Sequence, residues 1–103
     1  MKILDLTNNL IFNISKTNYI NNGIYYCYSN PCSKLKKWFE DNKDKELDLI
    51  VNGDKINGKI LKVTKLSTEE MSIYIKKTSS LTFKLDEDQF RQYQREIILK
   101  NLG

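Results

Sequence analysis

The stretch LDLIVNGDKINGKILKVTKLSTEEMSIYIKK, residues 47–77, decides the fold. Leu47–Val51 is an apolar, partly β-branched run. Asn52-Gly53 behind it is the strongest short hairpin signal in the chain, because both residues tolerate the positive φ that a two-residue turn demands. A return strand is expected from Ile56 to Leu66, with Asn57-Gly58 as its bulge and Leu61 and Val63 facing inward. Ser67–Glu70 is polar and turns the chain again. Met71, Ile73 and Ile75 then alternate with Ser72, Tyr74 and Lys76, the period-two pattern of a half-buried strand. Past Thr78-Ser79-Ser80, Leu81, Phe83 and Leu85 alternate with Thr82 and Lys84. The whole reads as a four-strand antiparallel meander.

Upstream, Lys2–Leu6 is a short strand, and Leu10, Phe12 and Ile14 share one face of a second. Asn21-Asn22-Gly23 is a reversal, after which Ile24–Tyr28 returns as a strand rich in aromatic residues. The first thirty residues are therefore expected to form a small antiparallel unit. Asn30-Pro31 marks a boundary: Asn serves as N-cap and Pro suits the first helical position, which predicts a helix over Pro31–Asn42. Cys32, Leu35, Trp38 and Phe39 fall on one of its faces. Downstream of the meander, Asp86 and Gln89 make a capping-box pattern for a last helix. Its apolar stripe is read as Phe90, Tyr93, Ile97 and Ile98, extended by Leu102. The fold class is α+β: a mainly antiparallel sheet with one central and one C-terminal helix, in one domain over residues 1–103.

Composition bounds the function. The 103 residues contain no histidine, the usual general base near neutral pH and the commonest metal ligand. Cys27 and Cys32 are too few and wrongly spaced for a zinc site, and no Gly-rich phosphate loop is present. Neither a metal nor another cofactor is expected. No apolar run approaches the roughly 20 residues that span a bilayer, and the Lys2–Leu4 start lacks a signal-peptide core because Asp5 interrupts it. A cytoplasmic protein with reduced thiols and no membrane contact is expected.

The net charge is +4, and fifteen of the 17 basic residues are Lys. Such a balance suits an anionic partner. It also follows from AT-rich codons, which favour Lys, Asn and Ile together, and here the bases are interleaved with acids.

Four chemical candidates stand against plainer structural roles. Cys32 sits in the first turn of a predicted helix, where the macrodipole favours a thiolate. It shares a face with Leu35 and Trp38 and has no base beside it, so a buried, unreactive thiol is expected. Asp86, Glu87 and Asp88 lie where a helix N-terminus favours acids, and Glu69 and Glu70 lie in a turn. An enzyme built on any of these is the least supported reading. Lys62, Tyr74 and Lys76 should share the outer face of the meander, a basic and aromatic surface on which nucleic-acid bases could stack. A solvated strand face is the plainer account of them. Arg91 and Arg95, the only arginines, lie one turn apart on the last helix, away from its apolar stripe. They suit bidentate contact with a carboxylate or phosphate, or simple surface ion pairing.

These readings converge on a small non-enzymatic interaction or inhibitor protein that occupies a surface of a larger protein. Arg91, Arg95, Lys62, Tyr74 and Lys76 are its expected contact residues. The Asn/Lys/Ile-rich composition suits a phage or mobile element of an AT-rich bacterium. There the expected role is anti-defence, of the anti-CRISPR kind, against a nuclease or nucleoprotein complex. The alternative is a small nucleic-acid-binding module using the basic-aromatic sheet face. The oligomeric state is not legible in the sequence.

Overall fold

The computed structural model describes residues 1–103. Its elements in chain order are β1 (Lys2–Asp5), β2 (Leu10–Asn13), β3 (Lys16–Tyr19), β4 (Ile24–Ser29), α1 (Ser33–Asp41), β5 (Leu47–Val51), β6 (Asp54–Lys65), β7 (Met71–Lys77), β8 (Phe83–Lys84) and α2 (Glu87–Leu102). All strand pairings are antiparallel, so the α+β class expected from the sequence is the one observed.

Two turns are set by the residues that flagged them. Asn22-Gly23 (φ 55° and 78°) reverses β3 into β4, and Asn52-Gly53 (φ 54° and 76°) reverses β5 into β6.

The strand order is β2-β1-β5-β6-β7-β4-β3, with β8 paired to β6 off that path. The two ends of this order are adjacent in the chain, because β2 passes into β3 through Ile14-Ser15 alone. Ile14 N–H donates to the Met1 carbonyl at 2.9 Å, and Ser15 N–H donates to the Tyr28 carbonyl at 2.8 Å. The chain thus leaves its ladder with β1 and joins β4 within two residues, and the sheet curls round into a barrel. Each of these end strands pairs on one side only, so the outer edges of β2 and β3 stay unpaired. The first thirty residues do not form a unit of their own: their two hairpins lie at opposite ends of the strand order and meet at this corner.

Inward-facing residues of the strands fill the barrel. Ile3, Tyr25, Leu49, Ile56 and Ile73 belong to one cluster with Leu35 and Trp38 of α1. Trp38 packs on Phe12 with ring centroids 4.7 Å apart. The other helix lies outside: Ile97 of α2 packs on Leu4 of β1 and Ile50 of β5. Alternation makes this possible, since Ile3 points in and Leu4 out on the same short strand.

Several local expectations are revised. The bulge of β6 falls between Ile60 and Lys62, not at Asn57-Gly58, which pair regularly with Asp48 and Leu47. Leu61 is the extra residue and faces solvent. The parity then resets, which sends Val63 in and Lys62 out. Gly58 is needed for a different reason: a Cβ there would stand 2.9 Å from the Lys76 carbonyl oxygen. β8 keeps only two residues and pairs with Asp54-Lys55 of β6, beyond the reach of β7, so Leu81 and Phe83 remain exposed. Helix α1 begins at Ser33 rather than Pro31, with Cys32 in extended conformation as its N-cap and no side-chain cap bond. The Asn30-Pro31 pair is the loop that delivers it.

Candidate partner-binding surfaces

Helix α2 presents a polar start and an apolar finish. Asp86 Oδ1 accepts from Gln89 N–H at 2.8 Å, and Gln89 Oε1 accepts from Asp86 N–H at 3.0 Å. This is the reciprocal box read from the sequence, and Glu87 and Asp88 add favourable charge to the first turn. Only Ile97 is fully buried, with Phe90 and Tyr93 half-buried beside it. Ile98, Leu99 and Leu102, the first and last expected in the buried stripe, are 45%, 66% and 78% exposed. At 100° per residue Ile98 and Leu102 lie on the same outward arc as Arg91 and Arg95, with Leu99 beside them. The short barrel wall of β1 and β5 is covered by one apolar ridge of the helix, and a second ridge is left over.

On that outward arc Arg91 donates to Glu87 Oε1 at 2.6 Å, one turn back. Arg95 is exposed and has no carboxylate partner. The α2 surface is therefore a stripe on which two guanidinium groups are followed by three exposed aliphatic side chains.

Lys62, Tyr74 and Lys76 share the outer barrel face as expected, on β6 and β7. The structure adds two tyrosines to them. Tyr26 of β4 is directly opposite Tyr74, with centroids 4.4 Å apart, and Tyr28 lies two residues along at 4.5 Å from Tyr26. The run Tyr25–Tyr28 carried the signal: in a strand, Tyr26 and Tyr28 must share a face. What the sequence does not give is the neighbour, because β4 pairs with β7 across more than forty intervening residues. Lys16 is opposite Tyr28 and Lys59 is opposite Lys76, so lysines ring the cluster.

The Tyr26 hydroxyl beside Tyr28, followed by burial, pushes the Tyr28 phenol up to about 12. Burial and then Tyr26 raise Tyr74. Both stay neutral at physiological pH, so the lysines and the nearby Glu70 set the charge of this face. The ring planes stand at 82° and 46° to one another, so the rings pack edgewise and do not offer one flat stacking platform.

The five expected contact residues thus lie on two surfaces: Lys62, Tyr74 and Lys76 on the wall of β6 and β7, Arg91 and Arg95 on the helix that covers β1 and β5. No family model, curated protein or solved structure matches this chain. Its chemistry is therefore read from its own residues.

One thiol departs from expectation. Cys32 is only half-buried, its N–H against Met71 Sδ at 3.1 Å. Cys27 is the fully buried one, 3.2 Å from Thr17 Oγ1, and burial pushes its thiol pKa up despite that contact.

Asp5 is the polar centre that sequence reading missed. It is fully buried, and its carboxylate accepts from Thr7 N–H, Asn8 N–H, Asn8 Nδ2 and, at 2.7 Å, the Trp38 indole Nε1. A single Asp in a short strand carries no signal for a partner 33 residues away. With its bonds satisfied, it locks α1 onto β1.

Proposed function

We propose that this protein is a non-enzymatic binding protein that docks on a larger protein through the outward arc of α2. The exposed Ile98, Leu99 and Leu102 beside Arg91 and Arg95 carry this reading. Protein interfaces combine desolvated apolar side chains with Arg, and Arg is among the residues that dominate binding energy. Nucleic acid would engage the guanidinium groups but leave three large aliphatics in water. Inhibition by occupancy, including anti-defence action on a nuclease or nucleoprotein complex, is the form of activity that this surface and the chain's composition favour together.

The test is capture of partners from the native host with wild-type protein and with Leu99→Asp/Leu102→Asp. A stoichiometric protein partner retained by wild type and lost by the variant supports the reading. Self-association through α2, seen by sedimentation, or retention of the partner by the variant contradicts it. The second reading, nucleic-acid binding, is favoured by one observation: the Tyr26–Tyr28–Tyr74 cluster ringed by lysines. It predicts oligonucleotide affinity at low salt that falls with rising salt and is lost in Tyr26→Ala/Tyr74→Ala.

A further inference from the structure

Closure at Ile14-Ser15 leaves the outer edges of β2 and β3 unpaired, and that of β2 borders a groove. In antiparallel pairs, residues alternate between those that bond the neighbouring strand and those that point away. Ile14 N–H bonds Met1, so by this alternation Phe12 and Leu10 also face β1. The backbone N–H and C=O groups of Ile11 and Asn13 face the other way. They enter no hydrogen bond, since β2 ends the strand order. Charged side chains or proline, the usual guards of a strand edge, are absent from Leu10–Asn13.

This edge forms one wall of a groove of about 690 Å³ whose other wall is α1 and the turn after it. Trp38 and Phe12 meet at its floor. Lys34, Lys37 and Lys45 line it against a single acid, Asp41, which Lys37 already neutralises at 3.0 Å. Lys34 and Lys45 have no ion-pair partner. At one end of the groove Asn9 Oδ1 is buried and accepts no hydrogen bond. A second cavity of about 440 Å³ continues past Asn13 and Pro31 and shares Lys34 with the first.

We infer that this groove takes an extended, acidic peptide segment of a partner protein, which adds to β2 as a further strand. The Ile11 and Asn13 backbone supplies its main-chain bonds, and Lys34 and Lys45 select carboxylates. Strand addition fits because it uses open backbone donors and acceptors in register, which a small anion would leave unmet. Acidic character fits because the unpaired charge in the groove is all positive. The site is separate from the outward arc of α2, so either reading can fail without the other.

The probe is a displayed library of random peptides about nine residues long, enough to run past both cavities at about 3.3 Å per residue. Enriched peptides are synthesised, titrated against Trp38 fluorescence, and mapped by amide hydrogen exchange on the full chain. The expected result is enrichment of Asp and Glu at alternate positions, with new protection at the Ile11 and Asn13 amides. Lys34→Ala/Lys45→Ala should weaken binding at least about tenfold, and backbone N-methylation of the peptide at alternate residues should do the same. Asn13→Pro, which removes an outward donor at an edge where Pro is tolerated, should abolish the protection while the chain stays folded. Leu99→Asp/Leu102→Asp should leave peptide affinity unchanged. Absence of acidic enrichment, protection outside β2, indifference to N-methylation, pairing of two copies through β2 without peptide, or tighter binding of an oligonucleotide in this groove would each overturn the inference.

Discussion

Trp38 and Asp5 stand or fall together at the level of single residues. Trp38 is 2% exposed, fills the contact with Phe12 and donates to Asp5. Its replacement by Ala should cost about 3–5 kcal/mol, measured by denaturant unfolding, and so large a loss can unfold a domain of this size. A Trp38→Ala protein that keeps its stability would contradict the role of anchor. Asp5→Ala leaves the buried indole N–H without its acceptor, at about 1–3 kcal/mol. The thiols give a sharper chemical check: alkylation at neutral pH should label half-buried Cys32 well before Cys27, whose thiol burial holds protonated. Cys32→Ser should be neutral or stabilising by about 0.5–1 kcal/mol, because the residue is an uncapped N-cap and Ser caps well.

Tyr25 ties residue chemistry to pH. Its hydroxyl donates to Asp54 Oδ2 at 3.0 Å, and burial first, then Asp54, raises its pKa. The folded state therefore holds the phenolic proton more tightly than the unfolded state. That contribution is fully present below the unfolded pKa of about 10 and is lost as pH rises above it toward the folded value. Tyr28, raised to about 12, acts in the same direction. Stability should fall with pH above about 10, and Tyr25→Phe should flatten that slope, read from thermal unfolding across alkaline pH.

Secondary structure was legible in the sequence wherever a local rule governs. The Asn-Gly turns, the capping box of α2 and the alternation of β7 depend on residues within a few positions of one another, and each formed as read. Asp86→Ala should accordingly cost about 0.5–2 kcal/mol by loss of the cap. What was not legible depends on neighbours distant in sequence. The bulge at Leu61 is set by pairing with β7. The exposure of Ile98 and Leu102 follows from how little barrel wall α2 has to cover, and the eclipse of β8 from the position of β7 along β6. The same holds at the candidate surfaces. Lys62, Tyr74 and Lys76 could be placed on one face from β6 and β7 alone, whereas Tyr26 and Tyr28 join them only once β4 is known to pair with β7.

For the whole molecule, the two-residue passage from β2 to β3 turns a sheet into a barrel and thereby assigns each helix its place. α1 closes the interior beside the unpaired edge of β2, and α2 rides outside with Ile98, Leu99 and Leu102 exposed. In the proposed account the three large aliphatics exposed on this well-capped helix are the contact. The most direct measurement is the affinity of the captured partner for wild type and for Arg91→Ala/Arg95→Ala, with folding checked by circular dichroism. The double variant should keep its fold, because exposed helix positions accept Ala, and should lose about 2–5 kcal/mol of binding free energy. Unchanged affinity in that variant, with loss instead in Lys62→Ala/Tyr74→Ala/Lys76→Ala, would contradict the account and move the contact to the tyrosine face.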